Sequence, residues 1–176
     1  MYQNKKRFPY LKNYTWASYG DYDRKQMKLD LTLLTRSYIF ALANGAEKLF
    51  YVNLRLPPFF PSEAEGGPGF SDLSTLIDSS GKPTPLFSAH QSIALKLGNF
   101  QEVETIKQQI RGKTILQGQY KFSRDDRVIH VLWGKGRLPS EIKGEVRVTD
   151  ISGNEKIITS DSIRLTSSPI FIEIIE

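Results

Sequence analysis

Cysteine is absent from the 176 residues, which excludes disulfides, thiolate metal sites and a thiol nucleophile and leaves stability to packing alone. Histidine is nearly as scarce, with His90 expected on a helix and His130 on a strand. Neither has a second ligand-type residue at metal-binding spacing, so no metal and no cofactor are expected. No window approaches the roughly 20 consecutive apolar residues of a membrane span, so no membrane partner is expected either. The opening MYQNKKRFPY is basic but has no apolar stretch behind it, unlike a secretory signal. Together with the missing cysteines, this makes a cytoplasmic location the expectation. Carboxylates are missing from the first twenty positions, and Asp21 is the first.

What is present has the balance of a globular chain, with 39% hydrophobic and 24% charged residues. The net charge of +5 permits weak attraction to phosphate or acidic polysaccharide. Its only dense basic cluster, Lys5, Lys6 and Arg7, reads as a solvated start, and no nucleic-acid partner is expected.

Met27, Leu31, Leu34, Tyr38 and Leu42 recur at helical spacing, predicting a helix over about 21–44 that stops at Gly45. EKLFYVNLRL follows at once as a nearly continuous apolar run, the pattern of a parallel strand covered on both faces. FPYLKNYTW, before the helix, supplies the other strand of a βαβ unit. Residues 56–72 carry four prolines and three glycines and read as a long loop. A turn at Ser80-Gly81 then leads to a second helix over about 86–97, ended by Gly98.

From about residue 103 short β-type runs alternate with turn signals. They are TILQGQYKFS, VIHVLWG, EIKGEVRVTD, KIITS, SIRLT and PIFIEII. This spacing predicts an antiparallel β-sandwich, with Val146 and Val148 on one face and Arg147 and Thr149 on the other. Gly134 and Gly136 in WGKGRLP read as a hairpin turn. The expected fold class is therefore α+β, with a βαβα order over residues 1–100 and the sandwich over residues 101–176.

RSYIFALANGAEKLFYVNLR resembles the seventh helix and eighth strand of clan-A (β/α)8-barrel retaining glycoside hydrolases, the xylosidase-like ones in particular. LIDSSGKPTPLFSAHQSI is similar to the segment entering their last helix, with Asp78, Gly81, Pro83, Pro85 and Phe87 matching. The resemblance makes residues 1–100 the last two βα units of a TIM-barrel-type fold, an incomplete barrel. It puts Asn13 where the family has its nucleophilic glutamate, and Trp16 and Tyr51 where aromatic rings stack on sugar. It makes Asn53 and Arg55 candidates for hydrogen bonds to sugar hydroxyls.

An amide cannot ionise, and retaining hydrolysis needs two carboxyl groups roughly 5 to 5.5 Å apart. The family's acid/base segment, after its fourth strand, has no counterpart here. Glu63 and Glu65 sit in the glycine-flanked loop, where nothing tunes their acidity. The resemblance thus implies a truncated or split C-terminal portion of a glycosidase with no catalytic residues of its own and no hydrolysis by the isolated chain. Alternatives are a non-catalytic module binding carbohydrate or protein, and a subunit of a split glycosidase. Open strand edges left by a barrel fragment would call for a second copy or a partner chain.

Overall fold

The computed structural model describes residues 24–50, 76–77, 81–112 and 114–175. Among the described residues two helices, α1 (Arg24–Ala43) and α2 (Pro85–Leu97), precede six strands. These are β1 (Glu102–Arg111), β2 (Thr114–Arg124), β3 (Arg127–Trp133), β4 (Glu145–Asp150), β5 (Glu155–Thr159) and β6 (Ile170–Ile174).

All six form one sheet in the order β1-β2-β3-β6-β4-β5, and every pairing is antiparallel. This corrects the expected architecture in two places. A sandwich needs two sheets face to face, and here a single sheet has helices on one side and loops on the other. The βα units are not borne out either: residues 47–50, the start of the apolar run expected as a buried parallel strand, form no strand, and Phe50 is 84% exposed, while the rest of that run and FPYLKNYTW lie outside the described residues. An apolar run marks a segment that gains from burial, but it does not name a strand neighbour.

Alternation along the strands builds the two faces. On one, Tyr120 and Phe122 of β2, Ile129, Val131 and Trp133 of β3 and Phe171 of β6 meet Ile39 of α1 and Ile93 and Leu97 of α2 in one buried cluster. On the other, Leu132, Ile172, Val146 and Val148 are covered by Ile142 and Ile163 from the connections flanking β4 and β5. The expected split of Val146 and Val148 from Arg147 and Thr149 holds. A third cluster joins the helices to the β4–β5 turn through Leu31, Leu86, Ala89 and Ile151, with Leu76 beside them.

Two local features position the rest. Gly118 is where Trp133 crosses β2: a side chain there would begin 2.4 Å from the indole ring and 2.6 Å from Tyr120. At the end of α2 the left-handed residue is Asn99 (φ 59), while Gly98 (φ −60) is required because a Cβ would lie 2.4 Å from the Ala94 carbonyl oxygen. Gly45 (φ 91) ends α1 as expected.

Several boundaries differ from the sequence reading. β1 was not among the expected runs. SIRLT is no strand; a 3-10 turn over Ser160–Ser162 begins the return to β6. WGKGRLP is no hairpin, because β6 separates β3 from β4 and these residues start a crossover. The sheet's edges are β1 and β5. β1 is mostly exposed, charged and interrupted by two register shifts, and β5 is only five residues long. Both traits discourage edge-to-edge pairing.

Candidate functional site

The residues singled out by resemblance, Asn13, Trp16, Tyr51, Asn53 and Arg55, lie outside the described residues, as do Glu63 and Glu65. No group of three or more His, Cys, Asp or Glu able to hold a metal occurs among the described residues. No described helix is long and apolar enough to cross a membrane. His130 is 1% exposed with its Nδ1 unpartnered. Burial drives its pKa below the usual histidine value, against the attraction of Glu141 and Glu104.

Two carboxylates do converge. Lys96, in the last turn of α2, donates from Nζ to Glu155 Oε1 and to Glu173 Oε1, each at 2.6 Å. The register explains the meeting: Glu173 of β6 lies opposite Arg147 of β4, and Glu155 of β5 lies opposite Thr149, on the sheet face that α2 covers. Arg127 closes the cluster with Nε and Nη2 donating to Glu173 Oε2 at 3.1 and 2.9 Å.

Such closeness is within the reach of a retaining glycosidase pair, but the charge state is wrong for one. A general acid must hold its proton near neutral pH. Burial, the largest influence on Glu173, acts to raise its pKa, yet the hydrogen bonds from Lys96 and Arg127 outweigh it and leave the carboxyl below the ordinary glutamate value. Glu155 is lowered chiefly by its bond to Lys96. Both stay ionised, and the cluster ties α2 to the sheet. The sequence offered no local signal for it, because Lys96 is 59 residues from Glu155 and 77 from Glu173.

The described residues also enclose a cleft of about 480 Å³ between the C-terminal turn of α1, the segment after it, α2 and the entry to β1. Tyr38, Leu42, Ile93, Leu97 and Phe100 form its apolar side, with His90 edge-on to Tyr38 at 5.7 Å. Glu47, Lys48 and Asn99 bring polar groups to its rim. The buried Tyr38 hydroxyl has no hydrogen-bond partner, and burial raises its pKa. Volume, apolar lining and a few polar groups are the general attributes of a small-molecule site. The sequence reading did not assemble this site because its walls come from two stretches far apart in sequence, residues 38–49 and 90–103.

The architecture is α+β, an antiparallel sheet carrying both described helices on one face. Comparison of the chain with protein-family models, curated proteins and solved structures finds no match in any of the three.

Proposed function

We propose that the chain is a non-catalytic binding module that takes a carbohydrate into the cleft between α1 and α2. The observation that carries this reading is an aromatic and aliphatic wall with carboxylate, ammonium and amide groups at the rim. Apolar C–H faces of a pyranose suit Tyr38 and Phe100, and its hydroxyls suit the rim. The glycosidase resemblance supplies the ligand class. It supplies no chemistry, because Asn13 cannot act as a nucleophile and Glu155 and Glu173 are held ionised by Lys96.

Calorimetry with xylo-, gluco- and manno-oligosaccharides tests the reading. Binding of at least one series is expected at millimolar dissociation constants or tighter. Ala94→Trp, which fills the cleft from an exposed position on α2, should abolish it. A blank panel, or binding unaffected by that substitution, would overturn the reading. No aryl glycoside should release nitrophenol.

A further inference from the structure

The backbone gives the cleft between α1 and α2 an electrical polarity. Both helices present their C-terminal turns to it, through Leu42 of α1 and Ala94 and Leu97 of α2, with Gly45 and Gly98 just past the helix ends. The carbonyl end of a helix carries roughly half an elementary negative charge, so two such ends beside one cavity act together like about one anion.

The side chains at these ends leave that polarity in place. The last turn of α1 contains no basic residue. The last turn of α2 contains Lys96, but its ammonium is 11% exposed and held by Glu155 and Glu173. Among the described lining residues, Glu47 and Lys48 carry opposite formal charges that offset each other, and His90 opposes a cation only when protonated. Tyr38 and Phe100 add aromatic rings, whose faces attract cations. A chain of net charge +5 repels cations in general, so a preference for one has to arise locally.

We propose that the sugar taken into this cleft is an amino sugar with a free ammonium group, held more tightly than its neutral or N-acetylated counterpart. The inference rests on the carbohydrate reading above and adds a ligand class to it. An ammonium offers three donors and no acceptor, which matches a site whose helix-end carbonyl oxygens and Glu47 carboxylate are all acceptors. The apolar C–H face of the same sugar packs on the wall formed by Leu42, Ile93, Leu97 and Phe100.

Calorimetry on the full chain at about pH 6, where glucosamine oligomers are protonated, compares them with N-acetylglucosamine oligomers and gluco-oligosaccharides of equal length. The glucosamine series should bind about tenfold more tightly than either of the others. Glu47→Gln, at an exposed rim position, should cut that preference about threefold and leave the affinity for gluco-oligosaccharides unchanged. Lys48→Met should widen the preference by removing the opposing charge. Equal affinity for charged and neutral series, or tighter binding of the acetylated one, would overturn the amino-sugar inference and leave the carbohydrate reading standing. A preference that survives Ala94→Trp, which fills the cleft, would put the cation elsewhere on the chain and overturn it as well. No binding by any of the three series would overturn both.

Discussion

Replacing Lys96 by Met tests the claim that Glu155 and Glu173 are structural. The ammonium is 11% exposed and Glu173 is 13% exposed, so the substitution strands a largely buried carboxylate. Removing one partner of a fully buried pair costs about 3–5 kcal/mol. Here Arg127 still donates twice to Oε2, and only Oε1 loses its bond, which lowers the expected cost to about 2 kcal/mol. Glu155→Gln, by contrast, should cost below about 0.5 kcal/mol, because Glu155 is 47% exposed and solvent screens it.

Urea unfolding at neutral pH reads both variants, and adding Glu173→Gln to Lys96→Met should recover part of the loss. The pH dependence has a fixed sign. Glu173 has a lowered folded pKa, so its contribution is present above the ordinary glutamate value, about 4.3, and is lost as pH falls through the folded value. With Lys96 replaced, this acid loss should become shallower. A Lys96→Met protein within about 0.5 kcal/mol of the parent, with an unchanged acid limb, would refute the reasoning.

Gly118→Ala should destabilise by about 1–3 kcal/mol and alter Trp133 fluorescence, because the new methyl meets the indole at 2.4 Å; an unshifted melting temperature would count against this packing. Arg36→Met should cost about 1–3 kcal/mol in urea unfolding, since Arg36 donates to the carbonyl oxygens of Ser167 and Ile115 and lies 5.9 Å from the Trp133 ring centroid. His130→Leu should be close to neutral in stability at pH 7, because it removes an unpaired buried nitrogen. The lowered pKa of His130 means that the parent loses stability as pH falls from about 6.5 toward the folded value. The variant should lack that component, and identical pH profiles would contradict it.

The helices were legible from local signals: α1 from an apolar stripe on which Leu31 sits at 5% exposure, and α2 from the turn and prolines before it and Gly98 after it. β2, β3, β4, β5 and β6 were legible from alternation or apolar runs. β1 was not, because its side chains are almost all exposed and its polar sequence reads like a loop. Strand order was also hidden: Ile170–Ile174 inserts between β3 and β4 through pairings such as His130 with Ile172 and Val148 with Ile172. Nothing in a local window encodes such partners. The same nonlocality concealed the meeting of Lys96 with Glu155 and Glu173, and the cleft.

The most direct measurement is a carbon-detected NMR titration of the glutamate side-chain carboxyls in the intact chain. Glu155 and Glu173 are expected to titrate below the ordinary glutamate value, with the Glu173 signal responding to Lys96→Met. Either carboxyl titrating above about 6, where a general acid holds its proton, would contradict the account of a module that binds without cleaving.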